Sequence, residues 1–204
     1  MSKLTARDKF LKKLRPFMLE RELKHVATAY VFSKYGHRGQ QRDNGERYFE
    51  HPRAVALIIL DEMEIRNDWQ LIVIALLHDI VEDSWLLDED RLEKNFGRAV
   101  ALGIKYLTKD PTEKKELYLA RLRSYATWRV LLVKLCDRVH NLRTLDGCSE
   151  EKQRKQILET EKEYIPLINL LGNTIPKDYK QHIYYLKDNI KGLCKDYRKR
   201  LGMD

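Results

Sequence analysis

The segment HDIVED places four polar side chains that could hold a cation directly after an apolar run. That run, residues 71–77, leads into His78, Asp79, Glu82 and Asp83. On a helix, where each residue turns about 100°, the four side chains would fan over one sector at the end of a buried element. Carboxylates placed together repel one another and are costly to bury, and a divalent cation relieves both penalties. A solvated helix end is the alternative, although acidic residues there oppose the helix dipole.

A second polar set lies in the segment KLCDRVHNLRTL. Asp137, Asn141 and Thr144 occur at i, i+4 and i+7, which puts a carboxylate, an amide and a hydroxyl on one helix face. The other side of this helix is apolar. Such a column is either solvated or directed into a lined cleft, and taken alone the spacing favours the solvated face.

A single histidine, His51, follows the irregular stretch 36–50. Alone it would be a surface or capping residue, but it gains interest beside the other two motifs. Together they offer two imidazoles and two carboxylates: His51, His78, Asp79 and Asp137. Such a nitrogen and oxygen set without sulfur suits Mn²⁺ or Fe²⁺, with Mg²⁺ and Zn²⁺ less well matched. The other two carboxylates of HDIVED would remain to handle a proton.

The elements that position these residues are predicted to be helices almost throughout, so the predicted fold class is all-α. Glycine and proline are scarce, at 9 and 5, and apolar residues recur at helical spacing. The stretch 36–50 is expected to form a loop or a small hairpin. Asp68 is predicted to be the N-cap of the helix that carries HDIVED. Helices are predicted over 19–35, 52–63, 69–83, 88–107 with a break near 95–97, 150–171 and 177–201, and residues 113–145 are predicted to form one or two helices.

Composition and charge indicate the cellular compartment of the protein and the class of its partners. Apolar runs of at most seven residues fall short of the roughly 20 that span a bilayer, and the N-terminus lacks the apolar region of a signal peptide. Three cysteines without a CxxC pair indicate reduced thiols and a cytoplasmic protein. The net charge of +8 favours anionic partners without choosing among them. The basic run 195–200 is interpreted as a solvated helix end, so no stable nucleic-acid partner is expected.

In this order the motifs resemble the hydrolase domain of the RelA/SpoT alarmone enzymes, which are HD phosphohydrolases. The resemblance runs from about residue 24 to 146 and includes HRGQQR at 37–42, Gly45, Tyr48 before His51-Pro52, LLHDIVED, Leu107-Thr108-Lys109 and KLCDRVHNLRTL. It implies an all-helical HD bundle, expected as one domain over 1–204 with a core at about 20–146 and a helical extension at 150–201. Because the chain ends before a synthetase domain, a stand-alone small alarmone hydrolase is expected.

The resemblance also implies an activity, the removal of the 3′-pyrophosphate from ppGpp or pppGpp to give GDP or GTP, with Mn²⁺ as cofactor. It implies that the metal is bound by His51, His78, Asp79 and Asp137. Glu82 and Asp83 match the pair that positions and deprotonates the attacking water. The implied nucleotide contacts are Arg42, Asn141 and Thr144.

Basic partners are also needed by the pyrophosphate. Lys109 and Arg42 are the candidates, and Arg138 is a weaker one. Arg138 and Lys134 could instead form structural ion pairs, and the sequence leaves both roles open.

Three positions depart from the family pattern: Asp43, where a basic residue is common, Arg47, where proline is frequent, and Ser84, where threonine is frequent. They leave the metal set intact but leave the base and phosphate preference open. The alternatives are therefore a hydrolase of (p)ppApp or another nucleotide, and a catalytically inactive alarmone-binding module. Oligomeric state is left open, and a homo-oligomer is compatible with the sequence.

Overall fold

The chain folds into helices joined by short loops. The structure, a computed structural model, describes residues 4–203. Within that range it contains no strand, and the predicted all-α fold class is confirmed. The stretch 36–50 holds the expected loop, in which the Arg42 N–H donates to the Glu46 carbonyl at 2.9 Å and the Tyr48 N–H to the Gln40 carbonyl at 3.0 Å. Among the described helices, none combines the length and the hydropathy needed to cross a bilayer.

Two compact units make up the chain. Among the described residues, the first contains 4–40 and 47–110, and the second contains 41–46 and 111–203. The division into two units does not test the expectation of one domain with a C-terminal extension, which stays a prediction.

The first unit is built around a helix that is buried from Leu71 to Leu77. This helix, α4 (Trp69–Leu77), packs against α2 (Glu20–Gly36), α3 (Glu50–Leu57) and α7 (Arg98–Leu107). The Asp68 side chain caps it by accepting from the Leu71 N–H at 3.0 Å, as predicted. The helices of this unit are α1 (Ala6–Leu14), α2 (Glu20–Gly36), α3 (Glu50–Leu57) continued by a π-helical turn (Ile58–Glu62), α4 (Trp69–Leu77), α5 (Ile80–Asp83), α6 (Glu89–Phe96) and α7 (Arg98–Leu107).

The predicted single helix over 69–83 is wrong at its centre, because α4 ends at Leu77 and α5 begins at Ile80. His78 and Asp79 lie in the turn between the two helices. In a continuous helix, successive side chains diverge by about 100°. The turn instead brings the Asp79 Oδ2 atom to 3.1 Å from the His78 Nε2 atom. The break in the helix therefore allows two adjacent residues to face one point.

In the second unit, the centre is α9, whose side chains are buried from Val130 to Leu135 apart from the partly exposed Lys134. Helices α11 and α12 pack against it. The helices of this unit are α8 (Lys115–Tyr125), α9 (Trp128–Arg143), a 3-10 turn (Leu145–Gly147), α10 (Glu150–Glu159), a π-helical turn (Thr160–Tyr164), α11 (Ile165–Thr174), a 3-10 turn (Lys177–Tyr179) and α12 (Gln181–Leu201).

A buried ion pair joins α9 to α10. Arg138 is only 5% exposed, and its Nη2 atom lies 2.8 Å from Glu159 Oε1. Its guanidinium lies over the Tyr164 ring at 3.7 Å, and Lys115 also pairs with Glu159. Of the two roles that the sequence left open for Arg138, the structure shows the structural ion pair.

Replacing Glu159 by glutamine is expected to lower the free energy of unfolding by about 3–5 kcal/mol at pH 7, because Arg138 would stay buried without its carboxylate. Burial favours the neutral acid, but Arg138 and Lys115 outweigh it and hold the pKa of Glu159 below its ordinary 4.5. A depressed pKa gives stability that is present above pH 4.5 and is lost as the pH falls through the folded-state value. Urea unfolding measured from pH 7 to pH 3 should therefore show that the free energy of unfolding falls less on acidification in Glu159→Gln than in the wild type. Equal losses would contradict this.

Candidate metal centre

Three side chains of the first unit form a compact group of metal-binding atoms. His51 lies in the first turn of α3, and His78 and Asp79 lie in the turn after α4. The two imidazole Nε2 atoms are 3.3 Å apart. Asp79 Oδ2 lies 3.1 Å from His78 Nε2 and 3.4 Å from His51 Nε2. One ligand atom from each residue falls within 4.8 Å of the others. This group is suited to holding a divalent cation.

The surroundings of the group fit a cation as well. His78 Nδ1 lies 2.8 Å from the carbonyl oxygen of Ala75, and since a carbonyl only accepts, Nδ1 carries the proton. The His78 Nε2 atom then presents its lone pair toward His51 and Asp79. Hydrogen bonding of the second ring nitrogen to a carbonyl is the usual arrangement around a histidine that binds a metal. With two imidazoles and a carboxylate, the donor set suits a divalent transition metal.

Asp79 stays ionised in this site. Burial favours the neutral acid, but the imidazoles of His78 and His51, when they are protonated, hold the pKa of Asp79 well below its ordinary value. The carboxylate is therefore available as an anionic ligand throughout the neutral pH range.

The two further carboxylates, Glu82 and Asp83, lie on the short helix α5, and both are exposed. The backbone N–H of Lys109 donates to Glu82 Oε1, which fixes that carboxylate against the loop after α7. Although much of the Asp83 residue is exposed, partial burial of its carboxyl group and the charge of Asp79 raise its pKa, and the contact with the Tyr48 hydroxyl opposes this rise. The pair therefore combines an anchored carboxylate with one that holds a proton more readily than usual.

The polar column on α9 belongs to the second unit. Asp137 is buried, and its Oδ1 accepts from Asn141 Nδ2 at 2.5 Å while its Oδ2 lies 3.1 Å from Lys134 Nζ. The group of three metal-binding residues lies in the first unit and Asp137 lies in the second, so its role as a metal ligand stays a prediction. Of the two roles left open for Lys134, the structure shows the ion pair. The Thr144 hydroxyl donates to the backbone carbonyl of His140 at 3.0 Å.

Arg42 and Asn141, both predicted nucleotide contacts, meet in the second unit. Arg42 Nη2 donates to Asn141 Oδ1 at 2.6 Å, and Arg42 Nη1 lies 3.0 Å from His140 Nδ1. The guanidinium is thus held in place by two side chains of α9. The neighbouring Asp43, which departs from the family pattern, pairs with Lys152, so this loop still has a cation beside Arg42.

Tyr48, a motif residue without a predicted role, lies beside the metal centre. The Tyr48 hydroxyl donates to Asp79 Oδ2 at 3.1 Å, and its ring stacks on His37. Gln40 Nε2 donates to the backbone carbonyl of Asp83 at 2.6 Å. These residues lie within the HRGQQR and Tyr48 parts of the motif, so the signal was present, but spacing alone did not show which carboxylates they contact.

Comparisons with known proteins agree with the motif order. The family model described as "HD domain" matches residues 29–174. The chain is 34% identical over 168 residues to the "Bifunctional (p)ppGpp synthase/hydrolase SpoT" of Escherichia coli (strain K12), covering 78% of this chain and 23% of that protein. It is 36% identical over 165 residues to the "Guanosine-3′,5′-bis(diphosphate) 3′-pyrophosphohydrolase" of Vibrio cholerae, covering 76% and 23%. The chain thus spans about a quarter of the length of these relatives.

A third relative and a solved structure extend this result. The chain is 40% identical over 163 residues to the "GTP pyrophosphokinase" of Myxococcus xanthus, covering 74% of this chain and 21% of that protein. It also resembles the solved structure described as "A metazoan ortholog of SpoT hydrolyzes ppGpp and plays a role in starvation responses". That match has a TM-score of 0.65 and 22% identity, and covers 87% of this chain and 98% of the other. At this identity the structural match supports the fold.

Proposed function

Since this chain belongs to the HD domain family, we propose that it is a metal-dependent hydrolase acting on ppGpp and pppGpp. It would release the 3′-pyrophosphate and leave GDP or GTP. The observation that carries the proposal is the group of His51, His78 and Asp79, whose ligand atoms lie within 4.8 Å of one another. Two of the relatives are named for making or cleaving this class of nucleotide, which supports the substrate class.

We propose Mn²⁺ as the cation, with Fe²⁺ as the other candidate, because the donor set mixes imidazole nitrogen with carboxylate oxygen. His51, His78 and Asp79 would hold it, and the sequence resemblance adds Asp137 as a fourth ligand. When bound, the cation polarises a phosphoryl oxygen and lowers the pKa of a water molecule. Cys136, Cys148 and Cys194 are not joined in disulfides, which supports a cytoplasmic setting for the enzyme.

In the proposed reaction, water adds to the phosphorus next to the ribose 3′-oxygen and the bond between that phosphorus and the 3′-oxygen breaks. The 3′-oxygen takes up a proton from solvent and leaves as the hydroxyl of GDP or GTP. Glu82 takes the proton from the attacking water, and the Lys109 N–H holds its carboxylate in place for that transfer. Asp83, whose pKa is raised, orients the water and shares the proton. Such general base catalysis contributes typically about 10²–10⁴-fold.

Binding of the nucleotide is assigned to basic and polar side chains. Arg42 and Lys109 would meet the negative charge of the substrate, as would the column of Asn141 and Thr144 on α9. Arg42 is already held by Asn141 at 2.6 Å, so little side-chain freedom is lost when the nucleotide binds.

The proposal is tested by incubating the purified chain with ppGpp and Mn²⁺ and separating the products by ion-exchange chromatography. GDP and pyrophosphate should appear in equal amounts, and a chelator should stop their formation. Release of orthophosphate instead, or binding of ppGpp without turnover, would contradict the proposal, and the second result would favour an inactive binding module. A parallel reaction with ppApp distinguishes the adenosine alternative.

Gly147→Ala should weaken nucleotide binding without changing cation binding. A Cβ atom at position 147 would lie 2.6 Å from the Cβ of Asn44 and 3.2 Å from its Cα. The backbone of the loop 41–46 must therefore shift, and that loop carries Arg42. We expect the KM for ppGpp to rise about tenfold, since a small misplacement of a binding group is costly. Gly192→Ala is the matched control, because no atom lies within 4 Å of its added Cβ, and an unchanged KM in both variants would refute the prediction.

A further inference from the structure

We infer that Tyr48 is a positioning residue of the metal centre, which fixes the orientation of the Asp79 carboxylate through its hydroxyl. The Tyr48 hydroxyl lies 3.1 Å from Asp79 Oδ2. That same oxygen lies 3.1 Å from His78 Nε2 and 3.4 Å from His51 Nε2. Tyr48 therefore contacts a carboxylate atom that lies near both imidazoles. The inference deepens the proposed function and rests on its metal centre.

The Tyr48 side chain is itself held in place. Its ring stacks on the buried His37 imidazole, with centroids 4.7 Å apart and planes inclined by 25°, and it meets His51 edge-on at 6.1 Å. Its backbone N–H donates to the Gln40 carbonyl at 3.0 Å. His37 Nδ1 lies 2.8 Å from Gln40 Oε1, so the stacking partner is also fixed. The hydroxyl is thus presented to Asp79 by a rigid arrangement.

The phenol acts as a donor in this contact. A tyrosine phenol is protonated in neutral solution, whereas the neighbouring carboxylates of Asp79 and Asp83 can only accept. A carboxylate oxygen has more than one lone pair, so Asp79 Oδ2 can accept from Tyr48 and still bind a cation. Without the phenol, the carboxylate would be freer to rotate about its Cβ–Cγ bond. Losing an outer hydrogen bond of this kind typically weakens metal binding by about 10–100-fold.

The test compares Tyr48→Phe with Tyr30→Phe by calorimetric titration of the full chain with Mn²⁺ in the absence of nucleotide. Tyr48→Phe keeps the ring and its stack on His37 and removes only the hydroxyl. Tyr30 is a buried tyrosine of the same unit that packs against Phe10 and Phe49, and it serves as the control. We expect the Kd for Mn²⁺ to rise about 10–100-fold in Tyr48→Phe and to stay at the wild-type value in Tyr30→Phe.

Two outcomes would overturn the inference: wild-type Mn²⁺ affinity in Tyr48→Phe, or an equal loss in both variants, which would indicate general destabilisation. Thermal unfolding of each variant shows whether a loss of Mn²⁺ affinity comes from a loss of stability. The titration contains no nucleotide, so its result is independent of the substrate. If Tyr48→Phe binds Mn²⁺ normally while the wild type cleaves ppGpp, only the inference fails. If it binds Mn²⁺ weakly while the wild type leaves ppGpp intact, only the proposed substrate fails.

Discussion

Asp79→Ala is expected to abolish cation binding and to lower turnover of ppGpp by about 10³-fold or more. Asp79 Oδ2 is the anionic atom of the group and faces both His51 and His78. Its removal leaves two neutral imidazoles, which bind a divalent cation far less well than a set that includes a carboxylate. A loss of 10³-fold corresponds to about 4 kcal/mol of transition-state stabilisation, which is within what a catalytic cation supplies.

Asp61→Ala is the matched control for this variant, because Asp61 is an exposed aspartate of the same unit whose carboxylate pairs with Lys13. It should bind Mn²⁺ and turn over ppGpp as the wild type does. Mn²⁺ titration and initial rates on both proteins check the prediction. Wild-type Mn²⁺ affinity in Asp79→Ala would show that the group of three does not bind the metal.

Glu82→Gln is expected to retain Mn²⁺ and to lose about 10²–10⁴-fold in kcat, which is the usual contribution of a general base. The amide keeps the size of the side chain and can still accept from the Lys109 N–H, but it cannot take a proton from water. The separation of cation binding from turnover is what distinguishes Glu82 from Asp79. Single-turnover rates measured beside the Mn²⁺ affinity provide the check.

Glu89→Gln gives the control, since Glu89 is an exposed glutamate of the same unit that pairs with Lys105. Its kcat should stay within about twofold of the wild type, because exposed ion pairs contribute little. Full activity in Glu82→Gln would mean that the proton goes to another group. Asp83 would then be the first to replace, because its pKa is raised.

Much of the fold was predictable because helical periodicity and capping act locally. Gly97, between α6 and α7, has a φ of +81°, a backbone conformation that glycine adopts readily. The helix therefore breaks within the predicted stretch 95–97. Helix α1 was missed, although Thr5 and Asp8 form a capping box at its start. Phe10 and Leu14, its buried residues, lie four positions apart, so the helical signal was present in a short segment.

The site was predictable in its residue types and less so in its geometry. Local periodicity extended one helix through His78 and Asp79, whereas the structure turns the chain there so that both face His51. Residue spacing also could not show that Tyr48 contacts Asp79. Both features depend on where the loop before α3 meets the end of α4, which is a tertiary contact that no sequence window contains.

The most direct test of the metal centre is an anomalous diffraction map from crystals of the chain grown with Mn²⁺. We expect one strong peak in contact with His51 Nε2, His78 Nε2 and Asp79 Oδ2, and the same map shows whether Asp137 is the fourth ligand. The absence of a peak between these three atoms at saturating Mn²⁺, or a peak bound only elsewhere, would contradict the proposed centre and the hydrolysis that depends on it.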